Sequence, residues 1–238
     1  MDLQFKIFRF DPGVDKEPYY QRYTVSAEPE NRLLDCLNRI KWEQDGTLGY
    51  RMSCGHGVCG SDGMKINGRC GLACQKLAKD YVGSEVVLEP LPSFKVLKDL
   101  IVDLEPFFAR INLLRPYLIS SLMPAEAERK QMPKERKRLD EVIRCILCAC
   151  CTAACPITLQ NPDYLGPAAL VWAFRYVFDS RDEQFMERLK QVDFPDGVWA
   201  CVNYFECTRV CPKEIPVTKC INTLKREIEK SLPPHVRG

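Results

Sequence analysis

The sequence predicts an α+β chain of two domains, a mixed β-and-α domain followed by an all-α one. Three observations predict it. Apolar and polar residues alternate near the N-terminus, as in half-buried strands. Apolar stripes at helical spacing dominate the second half. Of 14 cysteines in 238 residues, twelve fall in three clumps. No cysteine lies between Cys74 and Cys145. The domain boundary is expected in that gap, near Leu104–Pro106, giving domains 1–105 and 106–238.

Composition narrows the function. Apolar residues at 46% and charged residues at 28% are those of a globular chain, which excludes a wholly disordered or collagen-like one. A net charge of +2 speaks against a nucleic-acid partner. The opening MDLQFKIFRF has no apolar export signal. The longest uncharged stretch, Cys145–Pro162, carries five cysteines and two prolines, unlike the ~20 apolar residues of a membrane helix. A reducing compartment is expected, where so many thiols read as metal ligands rather than disulfides. With 2 His, histidine-rich metal sites are excluded.

The elements follow in order. In Leu3–Phe10, Leu3, Phe5 and Ile7 alternate with Gln4 and Lys6, a strand. Past the Asp11–Gly13 turn, Tyr19–Val25 is aromatic and β-branched, a second strand. Leu33, Leu34, Leu37 and Ile40 share one face of a helix over Asn31–Trp42. Met64–Ile66, the Asn67-Gly68 turn and the run to Cys74 read as a tight hairpin. Val86–Glu89 is a closing strand. Two strands, a helix, a cysteine loop and further strands match a β-grasp ferredoxin. In the second domain Pro106 and Pro167 suit first helical turns. Leu170, Val171, Phe174, Val177 and Phe178 form a stripe, and Val217–Ile228 is amphipathic. Basic Arg129–Arg138 reads as a solvated connector, with a docking strip for an acidic partner or membrane surface as the alternative.

The chemistry lies in the cysteine spacing. From Cys145 the chain reads CILCACCTAACP, and omitting Cys150 gives C-x2-C-x2-C-x3-C-P, the bacterial-type ferredoxin run. Three thiolates on a tight loop wrap one cluster, and the fourth serves a second cluster. A second run is therefore required. From Cys201 the chain repeats the pattern with Tyr204 at the second cysteine position. Crossing the ligands gives Cys145, Cys148, Cys151 and Cys211 to one cluster and Cys155, Cys201 and Cys207 to the other. Four thiolates suit [4Fe–4S]. A cube lacking one thiolate loses that iron, so the second is expected to be [3Fe–4S].

Near the N-terminus, S-C54-G-H-G-V-C59-G-S-D62 with distal Cys74 follows the plant-type [2Fe–2S] spacing C-x4-C-x2-C…C, with Asp62 in the third position. Asp62 follows from loop spacing; Cys70 competes if the loop bends. Gly55, Gly57, Gly60 and Gly63 free the loop backbone to donate N–H bonds to sulfur. Cys36, Cys70, Cys150 and Cys220 default to spectators, and His56 to an exposed loop residue. No G-x-G-x-x-G after a strand, no P-loop and no catalytic triad pattern accompany these cysteines.

With these motifs in hand, the sequence resembles the iron–sulfur subunit of succinate dehydrogenase and fumarate reductase (respiratory complex II) along essentially its whole length. The residues that carry the resemblance are S-C-x-x-G-x-C-G-S at Ser53–Ser61, CILCACC at Cys145–Cys151, Asn161–Asp163, Gly166–Ala169, Asp179–Asp182 and Val210–Lys213. The resemblance implies electron transfer between a flavoprotein subunit carrying FAD and a membrane quinone, oxidising succinate or reducing fumarate. It implies a membrane-anchor partner, a peripheral place on the cytoplasmic face of a bacterial inner membrane, and a quinone near Pro156 and Lys225. Family members linked to ubiquinone carry a Trp pair where this chain has Leu159-Gln160, and a His where it has Val202. Those departures lean toward menaquinone. Competing readings are a subunit of another flavin oxidoreductase, of glycolate oxidase or heterodisulfide reductase type, and a zinc-scaffold binding protein. The two Cys-Pro endings and the crossing of the runs favour iron over zinc.

Overall fold

The computed structural model describes residues 1–121 and 128–232. Its strands are β1 Asp2–Arg9, β2 Tyr19–Ser26, β3 Gly63–Ile66, β4 Arg69–Leu72, β5 Glu85–Glu89, β6 Val96–Lys98 and β7 Ile101–Val102. Its α-helices are α1 Leu33–Arg39, α2 Glu105–Leu113, α3 Pro133–Lys137, α4 Cys150–Ala153, α5 Pro156–Gln160, α6 Pro167–Val177, α7 Phe185–Lys190, α8 Glu206–Arg209 and α9 Val217–Ser231. The chain divides into two compact units. The first is Met1–Leu104 with Ile146–Ala154; the second is Glu105–Cys145 with Cys155–Gly238.

In the first unit five strands form one sheet in the order β2-β1-β5-β3-β4. Strand β1 runs antiparallel to β2 and parallel to β5. The alternation read in the sequence is the burial pattern: Leu3, Phe5 and Ile7 face the core while Asp2 and Gln4 are exposed. Asn67 at φ 44° and Gly68 at φ 80° turn β3 into β4, the paired positive φ of a type I′ hairpin. Helix α1 opens with the Arg32 N–H donating to Asp35 and buries Leu33, Leu34, Cys36 and Leu37.

The helix expected to reach Trp42 instead widens into a π-turn over Ile40–Gln44. That turn ends at Asp45, which accepts hydrogen bonds from Arg9 and the Tyr23 hydroxyl. Arg9 also donates to Asp99 at 3.1 Å. Asp99 lies in the short β6–β7 ribbon, which the alternation signal did not reveal because three and two residues carry no readable period.

The second unit is helical. Helix α6 buries nearly its whole length, from Pro167 to Val177, and amphipathic α9 buries Val217, Cys220, Ile221, Leu224 and Ile228. Pro106, Pro133, Pro156 and Pro167 all sit in first turns, where the missing N–H costs nothing. The basic run forms α3, with every residue from Met132 to Arg138 exposed. Arg188, 2% exposed, grips Asp182 and donates to the carbonyls of Leu114, Arg115 and Tyr117. It thereby ties α7 to the strand-free segment after α2.

Candidate metal centres

The plant-type loop is shaped to receive a cluster at its sulfurs. Gly55, Gly57 and Gly60 have φ of 69°, 69° and 70°, values that L side chains adopt only under strain. This winding turns backbone N–H groups inward. Those of His56 and Cys59 each donate to Cys54 Sγ at 3.3 Å, and that of Ser61 to Cys59 Sγ at 3.5 Å. Donation from His56, Val58 and Cys59 pulls the Cys54 thiol down to about 6, into the range of a thiolate metal ligand. The His56 side chain is exposed, as expected.

The fourth position separates Asp62 from Cys70. Asp62 is 2% exposed. Its carboxylate accepts from the Cys74 backbone N–H at 2.5 Å and from the Cys74 thiol at 3.4 Å. Burial and then this carboxylate push the Cys74 thiol up to about 12. A buried carboxylate against a buried thiol, with Cys74 on a 3-10 turn rather than a strand, is a donor pair that would hold one iron of a cluster. Cys70 lies on β4 opposite Lys65. Its charged neighbours are Lys65 and Cys148, and burial pushes its thiol up to about 11.

The loop meets the first bacterial-type run directly. A methyl group on Gly60 would stand 2.9 Å from Cys148 Cβ and 2.9 Å from the Ile146 carbonyl oxygen. One on Gly63 would stand 2.9 Å from the Cys148 carbonyl oxygen. These two glycines are required by close approach, a reason the sequence alone did not supply.

The two runs share one backbone. A 3-10 turn over Val142–Arg144 leads into Cys145, and another over Val198–Ala200 leads into Cys201. Leu147 and Ala149 have φ of 55° and 63°, and Asn203 and Phe205 both have 64°. A single helical turn follows in each, α4 and α8. Tyr204 thus occupies the conformational position of Cys148, and Glu206 that of Cys150. The sequence repeat foretold the register; the four non-glycine residues at positive φ had no signal in it.

Cys155, Cys201 and Cys207 line one pocket of the second unit together with Pro156, Tyr204 and Thr218. The Thr218 hydroxyl, 2% exposed, lies 3.5 Å from Cys207 Sγ and 3.0 Å from the Thr208 hydroxyl. Lys225 donates to the Cys201 carbonyl at 2.6 Å and lies over the Trp199 ring. Of the lining residues Val202, Tyr204 and Phe205 are 60%, 52% and 48% exposed, an apolar rim; Leu159 on α5 is 58% exposed. Three thiols in a polar-backed pocket fit an iron–sulfur cluster with three protein ligands. Among the described residues no three His, Cys, Asp or Glu are grouped so as to hold one metal ion.

The spectator cysteines are buried. Burial pushes Cys36 up to about 11 and Cys220 up to about 12. Cys150 is wholly buried and its thiol is hydrogen-bonded to Cys148, which raises its own pKa and lowers that of Cys148.

Fold and site together define an iron–sulfur protein that joins two ferredoxin-type modules. A 2Fe-2S iron-sulfur cluster binding domain matches residues 4–109, and a 4Fe-4S dicluster domain matches residues 141–215. The chain is 43% identical to the succinate dehydrogenase iron-sulfur subunit of Coxiella burnetii over 95% of its length and 97% of that protein's. It is 38% identical to the fumarate reductase iron-sulfur subunit of Mycobacterium tuberculosis, covering 94% of this chain and 91% of that one. Its fold matches a chain of the Mycobacterium smegmatis Sdh1 complex with TM-score 0.84, at 24% identity and 98% coverage of both chains. The chain belongs to the family of succinate dehydrogenase and fumarate reductase iron-sulfur subunits. It is an electron-transfer subunit of an oxidoreductase complex.

Proposed function

We propose that this chain conducts single electrons between a flavoprotein subunit carrying FAD and a quinone at a membrane anchor. The order of centres is [2Fe–2S], [4Fe–4S], [3Fe–4S]. The observation that carries this reading is the contact of Gly60 and Gly63 with the Cys148 backbone, because a wire needs its successive ligand loops in touch. When bound, the clusters take up and release one electron at a time with little rearrangement.

The protein's own residues do the rest. Cys54, Cys59, Asp62 and Cys74 hold the first centre, and the N–H groups aimed at Cys54 and Cys59 stabilise negative charge on sulfur. Cys145, Cys148, Cys151 and Cys211 hold the second, a partition that rests on spacing. Cys155, Cys201 and Cys207 hold the third. Tyr204 supplies no thiolate where a fourth iron would sit, which supports the three-iron form. Cys151 and Cys155 are four residues apart, so their Cα atoms lie within about 14 Å of each other and the second and third centres take ligands from one short segment.

The apolar rim of Val202, Tyr204 and Phe205, with exposed Leu159 on α5, is the face for the anchor, and Pro156 in the same pocket borders the quinone, which we take to be menaquinone. Lys225 acts from behind, fixing the Cys201 carbonyl and placing a cation near the third centre. No described helix is long and apolar enough to cross a membrane, and the chain's place is peripheral, on the cytoplasmic face. In this reading the working modules are residues 1–105 and 106–238. Purification of the complex, with EPR during stepwise reduction, tests the reading. Three distinct iron–sulfur signals, reduced by succinate through a co-purifying flavoprotein, are expected; zinc in place of iron, or a different flavin partner, overturns it.

A further inference from the structure

A groove in the second unit, outside every centre described above, combines cationic walls with an apolar floor. Lys137 and Arg138, at the end of α3, form one wall, and Lys219, in the first turn of α9, forms the other. Val142, Phe174 and Cys220 make the floor at 2%, 7% and 3% exposure. Glu141 is the single acid lining it. None of the three bases is in an ion pair among the described residues. The Arg138 guanidinium lies 3.5 Å above the Phe178 ring, so part of its ordering cost is already met. Lys130 and Lys134 add exposed positive charge nearby in the chain, and Met132 between them is 66% exposed.

We propose that this groove binds the headgroup of an anionic phospholipid at the membrane surface. Lys137, Arg138 and Lys219 take the phosphate, and the glycerol backbone lies on the apolar floor. Three bases against Glu141, with Glu227 of α9 also acting on Arg138, leave a net positive groove that matches an anion, and the apolar floor matches an amphiphile better than a free inorganic ion. The position agrees. Thr218 and Ile221 of α9 line the pocket of the third centre, while Lys219, Cys220 and Thr223 of the same turns line the groove. The two therefore lie at the same level along that helix. The orientation toward a membrane rests on the functional reading above, but the binding test does not.

Cluster-loaded full chain is mixed with vesicles of phosphatidylcholine alone or of phosphatidylcholine with phosphatidylglycerol, and binding is read by co-sedimentation. Binding to the anionic vesicles, weakened by salt, is expected. Each base near such a surface is worth roughly a fivefold change in partitioning. Lys137→Gln, Arg138→Gln and Lys219→Gln together should lower it about 100-fold, and Lys137→Gln or Lys219→Gln alone about fivefold. Unchanged cluster EPR signals certify that each variant is folded. Equal binding to both vesicle types, or a triple variant that binds like the parent, overturns the proposal. So does full competition by inorganic phosphate at the ionic strength of the control, which would mark a site for the free ion. An acidic protein partner is revealed if the triple variant loses assembly with the anchor while keeping vesicle binding, and that result also overturns it. Vesicle binding as expected, with clusters that succinate does not reduce in the purified complex, would instead count against the electron-transfer reading alone.

Discussion

The turns at Cys145–Cys151 and Cys201–Cys207 follow the same backbone path, and they differ at the position filled by Cys148 in one and Tyr204 in the other. Each path requires two non-glycine residues at positive φ, a conformation costing about 1 kcal/mol or more per residue. That cost is met twice, in a turn with its full set of thiols and in one that lacks a thiol. The backbone path is thus common to both turns, and in the proposed assignment the number of irons follows from one side chain. The surroundings also differ. Cys148 lies against the plant-type loop through Gly60 and Gly63, while Tyr204 lies on an exposed rim. The first turn packs on the plant-type loop within its unit, and the second presents Tyr204 to solvent.

The largest way to break this comparison is to remove a crossed ligand. Cys211→Ser belongs by sequence to the second turn, yet it should abolish the four-iron centre that the first turn builds. EPR and iron content of the reduced protein check this, and selective loss of the three-iron signal would show that the runs do not cross. Next comes the first centre. Asp62→Ala should lose the [2Fe–2S] signal, because the pair formed with Cys74 is broken. Cys70→Ala should leave that signal nearly intact, since Cys70 adjoins Lys65 and Cys148 instead.

A smaller effect sharpens the comparison by separating scaffold from ligand. Arg188→Met strands the fully buried Asp182, costing about 3–5 kcal/mol and lowering Tm by roughly 10 °C. The cluster types should not change, as read by EPR below the melting temperature. The pH dependence follows from Asp182. Burial alone would raise its pKa, but hydrogen bonds from Arg188, Ile119 and Gln184 hold it below the usual carboxylate range. Its contribution is therefore complete above an unfolded value of about 4 and fades as pH falls through the lowered folded value. Acid unfolding followed by circular dichroism should begin at higher pH in Arg188→Met than in the parent.

The sequence made the candidate ligands legible because thiolate spacing is a direct statement of cluster geometry. The strands β1 and β2 and the repeated turns of the two cysteine runs stand where their patterns put them, and Asp62 lies against Cys74. Elements whose cause is tertiary were hidden. The π-turn ending at Asp45 answers to Arg9, far away in sequence, and β6–β7 answers to Asp99 in the same network. Lys225 was singled out by resemblance, but its bond to the Cys201 carbonyl had no local signal. Thr218 went unread for the same reason: an ordinary helical threonine becomes a sulfur neighbour only once α9 meets α8.

The most direct test of the two-turn account is EPR of oxidised Tyr204→Cys beside the parent. The parent should show an oxidised three-iron signal. The variant should lose it and gain a four-iron centre of lower potential, because the backbone already holds the new thiolate where Cys148 is held in the first turn. A fully iron-loaded variant that keeps the parent's three-iron signal would contradict the claim that this one side chain sets the cluster type.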